Sequence, residues 1–267
     1  MSPFIAELLG TTLLVLFGNG VVANVVLSKT KGNNAGWIVI AFGWGMAVFI
    51  GVFCVSKFSG AHLNPAVTIA LAAAGKFDPQ FPNWGAVPVF IMAQMLGGFI
   101  GAVLVYIFYR EHFEVTDDAD AKLGCFCTGP NIRSIPSAFI CETIGTFCLV
   151  LPIFLMVSPS LTFPLPPASS ATGIPQMSAA WPQPTFGLGA LGGLPVGLVV
   201  FAIGLSLGGT TGYAINPARD LAPRIAHFLL PIKNKRDSDW SYAMVPALAP
   251  IVGGLLAAIF SRLIIKA

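Results

Sequence analysis

An all-α membrane protein, six transmembrane helices plus two re-entrant half-helices arranged as an inverted-repeat, right-handed bundle, is the fold this sequence predicts. Three observations predict it. The 267 residues are 55% hydrophobic and only 9% charged, with a mean hydropathy of +0.82, whereas soluble domains are roughly one-quarter charged. The triplet Asn-Pro-Ala occurs twice, at Asn64, Pro65, Ala66 and at Asn216, Pro217, Ala218. Thirteen residues from Phe4 align with thirteen from Phe139, eight of them identical, setting Glu7 opposite Glu142.

Six stretches have the length of about 20 residues that a hydrocarbon core requires. They are 4–27, 37–56, 84–109, 135–157, 188–207 and 242–260, and their only charged residues are Glu7 and Glu142. The apolar run at the N-terminus has no basic flank and is longer than a signal-peptide core, so the first helix is expected to be retained. Two shorter pieces, 65–74 and 217–230, follow the triplets. At about 1.5 Å per residue each reaches only about halfway across.

The triplets read as helix starts. Asn is a good N-cap through its side-chain oxygen, and Pro suits the first helical position, where its missing N–H costs nothing. With the oxygen used by the cap, the amide NH2 groups of Asn64 and Asn216 are left as donors. Each copy of the repeat has three spans, with the half-helix after the second. An odd number of spans inverts the second copy, so the two half-helices enter from opposite faces and meet head to head.

The chain is thus expected to form one domain, 1–267, of repeats 1–110 and 135–267, with an outer loop at 110–134. Glu7 precedes Asn64 by 57 residues and Glu142 precedes Asn216 by 74. The 17 extra residues fall in an extended loop at 158–187, rich in Pro, Ser and Ala. Glycines four apart, Gly97 with Gly101, Gly193 with Gly197 and Gly204 with Gly208, suit close helix contact in lipid.

Other classes are disfavoured. The net charge of +3 is scattered, so no nucleic-acid partner is expected. Cys54, Cys141 and Cys148 are apolar fillers, and Cys125 and Cys127 read as loop thiols whose spacing suits neither a disulfide nor zinc. No metal, cofactor or catalytic group is expected. The positive-inside rule favours a non-cytoplasmic N-terminus: a cytoplasmic one puts eight loop Lys and Arg, besides Arg219 and Arg224, outside, against Lys57, Lys76, Arg262 and Lys266 inside.

With two Asn-Pro-Ala triplets, inverted halves, six spans and Arg219 directly after the second triplet, the sequence resembles the aquaporin superfamily over essentially its whole length. Asn-Pro-Ala-Arg-Asp, with Asp220, is similar to the glycerol-facilitator branch. The resemblance implies a selectivity filter at Trp44, Gly204, Tyr213 and Arg219. Gly204 stands where water-selective members commonly carry His, which leaves room, while Tyr213 departs from the usual Phe. It also implies a homotetramer in the cell membrane with both termini cytoplasmic, against the charge count.

On this reading a passive channel carries glycerol and other small uncharged solutes with water, excluding ions and protons. Acceptors come from the backbone carbonyls of the two non-helical approaches, Gly60, Ala61, His62, Leu63 and Gly212, Tyr213, Ala214, Ile215; donors come from Asn64, Asn216 and Arg219. Irregular backbone at this depth must line a cavity or be buried in protein. Trp44 and Tyr213 face the carbon edge of a polyol. Glu7 and Glu142 are read as structural supports for the approaches, and Asp220 as a charge favourable near the half-helix N-terminus. The rivals are a channel for urea, hydrogen peroxide, a metalloid hydroxide or protonated lactic acid, and a proton-coupled secondary transporter, which needs a titratable midplane group where this sequence has Asn.

Overall fold

The structure, a computed structural model, describes residues 1–156, 160–162 and 185–265. With no water at membrane depth, each spanning backbone must bond to itself, which selects helices. The chain runs α1 Pro3–Val26, α2 Trp37–Ser59, α3 Pro65–Ala73, α4 Ala86–Phe108, α5 Arg110–Val115, α6 Ala119–Gly124 and α7 Ile135–Leu155. A two-stranded antiparallel ribbon follows, β1 Ser160–Thr162 with β2 Thr185–Gly187. The chain ends with α8 Leu194–Ser206, α9 Pro217–Leu229 and α10 Met244–Ile265.

Local chemistry sets the boundaries. Ser2 caps α1, whose first residue is Pro3. Gly60 closes α2 at φ 77°, a left-handed conformation that Gly adopts without a Cβ penalty. Asn64 caps α3 through the N–H of Ala66, and Asn216 caps α9 through Ala218 and Arg219.

Among the described residues five helices are long and apolar enough to cross a bilayer. The span expected at 188–207 differs: a 3-10 turn, Gly189–Gly193, precedes the 13-residue α8. Glycines at 187, 189, 192 and 193 lack the side chains that favour helix, and Pro195 sets the start of α8. The ribbon occupies both ends of the loop expected at 158–187; the rest of that loop lies outside the described residues. The 110–134 segment is not a plain surface loop either. It carries α5 and α6, and buries Phe113, Cys125, Phe126 and Cys127, so the two thiols are core groups rather than loop groups.

The two halves interlock. A Cβ on Gly97 of α4 would lie 2.3 Å from the Leu8 carbonyl oxygen of α1, and one on Gly253 of α10 would lie 2.3 Å from that of Thr143 on α7. Gly45 of α2 and Gly197 of α8 face each other, each so close to the other's carbonyl that a Cβ would meet it at 2.8 and 2.7 Å. Each half-helix packs on the opposite repeat: a Cβ on Gly98 would be 2.7 Å from Ala218 O, and one on Gly254 3.0 Å from Ala66 O. Helix α3 therefore lies on α10 and α9 on α4, bringing the two half-helix tips together.

Candidate functional site

The approaches to the half-helices, residues 60–63 and 212–215, have matching backbones. Gly60 and Gly212 lie at φ 77° and 86°, Ala61 and Tyr213 at 53° and 40°, Leu63 and Ile215 at 53° and 44°. A non-glycine residue there costs about 1–2 kcal/mol, so something must hold it. Two buried carboxylates do. Glu7 accepts from Ser59 Oγ at 2.6 Å, His62 N at 3.0 Å, Leu63 N at 2.7 Å and Gln94 Nε2 at 2.7 Å. Glu142 accepts from Thr211 Oγ1 at 2.7 Å, Ala214 N at 2.9 Å and Ile215 N at 2.8 Å. Donors converge on both carboxylates, and neither Glu lines the cavity. Gln94 has no counterpart, since α10 carries Pro250 there. It also bonds Thr68, which lies 3.2 Å from His62 Nδ1.

The tips are tied by reciprocal bonds. Asn64 Nδ2 donates to Ile215 O at 2.9 Å, and Asn216 Nδ2 donates to Leu63 O at 2.8 Å. This revises the expectation of wholly free amides: one proton of each NH2 joins the halves and the other remains. Leu63 O and Ile215 O each accept one of these bonds and keep a second lone pair; both residues line the cavity.

A cavity of about 140 Å³ runs past both tips. Its polar side is made by Gly60, Ala61, His62, Leu63 and Asn64 from one half and Tyr213, Ala214, Ile215, Asn216 and Arg219 from the other. Pro65, Ala66, Pro217 and Ala218 are buried inside their half-helices. The opposite side is apolar, formed by Val48 and Val52 of α2, Leu149 and Ile153 of α7 and Val196 and Val200 of α8, with Leu14 of α1. Sequence reasoning missed that wall. Its signal was there, since 44, 48 and 52 and likewise 196 and 200 are four apart on one helix face, but in helices apolar all round such a stripe has no contrast.

At one end Trp44, Tyr213 and Arg219 converge. The Arg219 guanidinium sits 4.0 Å from the Trp44 ring centroid, a cation–π stack, and Nη2 donates to Gly212 O at 3.4 Å. Gly204 does not line the cavity. The Tyr213 ring occupies the room it leaves: a Cβ on Gly204 would be 2.9 Å from Tyr213 Oη, and one on Gly208 2.5 Å from its Cδ1. Trp37 packs edge-on to that ring and donates from Nε1 to Gly204 O at 2.8 Å. Glycines 204 and 208 thus make room for an aromatic ring as well as for α2, whose Ala41 and Trp37 lie against them.

Asp220 has closer partners than the helix dipole. Fully buried, it takes Arg224 Nε at 2.9 Å and Nη2 at 2.8 Å on Oδ1, and Thr128 N and Oγ1, both at 2.7 Å, on Oδ2. At the surface beside this cluster Arg133 clamps Asp239 at 2.6 and 2.7 Å. Burial pushes that carboxyl up, but hydrogen bonds from Arg133 and Ser241 with the charges of Arg133 and Arg224 outweigh it and hold it below the ordinary carboxylate range.

The cavity has the amphipathic cross-section of a conduit, with donors at its middle and at one end and, among the described residues, no side-chain carboxylate in its lining. The comparisons agree with such a conduit. The family model described as "Major intrinsic protein" matches residues 1–172 and 175–261. The chain is 50% identical over 258 residues to a probable glycerol uptake facilitator protein of Thermotoga maritima, covering 97% of both chains. It is 47% identical over 260 residues to the glycerol uptake facilitator protein of Bacillus subtilis, covering 97% of this chain and 84% of that one. The X-ray structure of the aquaglyceroporin from Plasmodium falciparum superposes with a TM-score of 0.74 at 31% identity, over 98% of this chain and 96% of that one. With two tip-to-tip half-helices flanking one amphipathic passage, the chain belongs to the major intrinsic protein family.

Proposed function

We propose that this protein is a passive channel of the cell membrane through which glycerol and other small uncharged solutes diffuse together with water, while ions and protons are excluded. The observation that carries the reading is the pairing of Asn64 and Asn216 across the tips beside a continuous cavity, polar on one side and apolar on the other. A polyol has the same two edges. Its carbons meet Trp44 and the Tyr213 ring, its hydroxyls meet Arg219, the remaining Asn protons and the carbonyls of residues 60–63 and 213–215, while Gly212, expected in this set, lies outside the lining and accepts from Arg219 instead. Exchanging a hydration shell for wall groups is the cost of entry that these groups offset. Transit makes and breaks no covalent bond, so no residue is assigned a catalytic role. Four copies, each with its own pore, and cytoplasmic termini complete the proposal. The similarity to proteins named glycerol uptake facilitators supports glycerol as the main solute. The test is stopped-flow swelling of proteoliposomes in glycerol, water, urea and lactic acid; a glycerol rate no higher than that of empty vesicles would sink the reading.

Exclusion of cations is assigned to Arg219 and the positive ends of α3 and α9. Arg219→Val is expected to admit a proton or cation leak. Membrane potential under an imposed proton gradient measures it, and an unchanged potential would remove Arg219 from the barrier.

Another neutral solute as main cargo has one specific observation in its favour: the Tyr213 hydroxyl and Trp44 Nε1 are buried at one end of the cavity with no hydrogen-bond partner among the described residues. Tyr213→Phe is therefore expected to shift the lactic-acid-to-glycerol and urea-to-glycerol flux ratios by about twofold to tenfold, the range of one hydrogen bond. Ratios unchanged in the variant would assign the hydroxyl to packing alone.

A further inference from the structure

We propose that Thr128, in the segment between α6 and α7, is a positioning residue for Arg219, which makes this segment part of the selectivity apparatus. The proposal rests on the reading of Arg219 as a filter residue. Thr128 touches the supports of that arginine on two sides. On one side lies Asp220, the next residue along α9, whose Oδ2 accepts from both Thr128 N and Thr128 Oγ1 at 2.7 Å. On the other lies Gly212, the acceptor for Arg219 Nη2; a Cβ there would sit 3.3 Å from Thr128 Cγ2. The Thr128 carbonyl in turn accepts from Arg224 Nη2 at 2.9 Å, and Arg224 holds the other oxygen of Asp220.

The brace belongs to one half only. Thr68 stands at the equivalent of Asp220 after the first triplet, and it bonds to Asn64 O and Gln94 within its own repeat. The half that carries the arginine also has Pro223, which has no N–H to donate to the carbonyl of Arg219 four residues earlier. Its first turn is held less by its own ladder and more by side chains. The segment bearing Thr128 is itself fixed, by Asn19 Nδ2 on Phe126 O at 3.3 Å and Lys122 Nζ on Lys233 O at 2.6 Å, so it can serve as a stop. A buried carboxylate that loses one of its few donors recruits another, and Arg224 and the backbone beside Arg219 shift with it.

The experiment compares Thr128→Val, which keeps the shape and removes the hydroxyl donor, with Thr128→Ser, which keeps the donor, and runs Arg219→Val beside them. The readout is the ratio of glycerol to urea flux in proteoliposomes. A merely structural role scales both fluxes with the amount of folded protein and leaves the ratio alone. Thr128→Val is expected to move the ratio by about threefold or more, part of the about tenfold that the lower end for a hydrogen bond to a charged group corresponds to, and Thr128→Ser to restore it. Thr128→Ala removes the same donor from a smaller side chain and carries the test should the Val protein fail to insert. If Arg219→Val moves the ratio while Val and Ala at 128 do not, the positioning role is overturned and the filter stands. If Arg219→Val leaves the ratio unmoved, the filter reading falls, and this proposal with it.

Discussion

Replacing Gly204 by His is expected to lower glycerol permeability about tenfold or more while water permeability falls far less. The reason differs from simple occupation of an open gap. The position is already covered by Tyr213, whose ring is wedged between Gly204, Gly208 and the edge of Trp37. The added Cβ would meet Tyr213 Cζ at 3.0 Å and Ala41 Cβ at 3.0 Å, and overpacking of this kind is relieved by moving the more exposed partner. On the α8 side Gly208 leaves no retreat, since only the absence of its Cβ admits the ring. The phenol is then driven into the passage, opposite Trp44 and Arg219, where it narrows the route for a three-carbon solute before it blocks a single water. Swelling rates for both solutes in the same vesicles measure the effect. Equal fractional losses would show that the narrowest point lies elsewhere.

Glu142→Leu is expected to abolish flux of every solute and to lower the thermal unfolding midpoint in detergent. The change strands Thr211 Oγ1, Ala214 N and Ile215 N, all bonded to this carboxylate. A buried donor left without a partner costs about 1–3 kcal/mol, and here the loss falls on a backbone already strained at Tyr213 and Ile215. Once those residues relax, Ile215 O leaves Asn64, the tips separate, and the passage closes. Glu142→Gln sharpens the test. Its amide presents N–H to a backbone N–H, so it is also expected to fail, although it keeps the shape and removes the charge. Normal flux and stability in the Gln variant would show that the second approach holds its form without the carboxylate.

Much of the fold was legible before any coordinate. The spans stood out because lipid demands long apolar helices, and the half-helices because Asn-Pro writes a cap and a first turn into adjacent residues. The span at 188–207 was read too long because composition registers hydrophobicity and not the helix-weakening run of glycines before Pro195. Asp220 was placed by its position near a helix start, which is a local property. Its stronger partners, Thr128 and Arg224, could not both be found that way, since Thr128 lies 92 residues distant. Gly204 was read as room left in the passage, but the sequence does not say that the Tyr213 ring fills that room.

What the sequence by itself determined is therefore what one segment can specify: which stretches cross, where the two short helices start, and that one unit is present twice in opposite sense. Only the tertiary structure decided the rest. It bonded each Asn amide to the far approach, across separations of 151 and 153 residues, turned three of the four residues in each approach left-handed, and set Thr128 against Asp220. Local chemistry is written in neighbouring residues, whereas these contacts exist only once the two halves have closed on each other and a buried polar group must take whichever partner the packing brings.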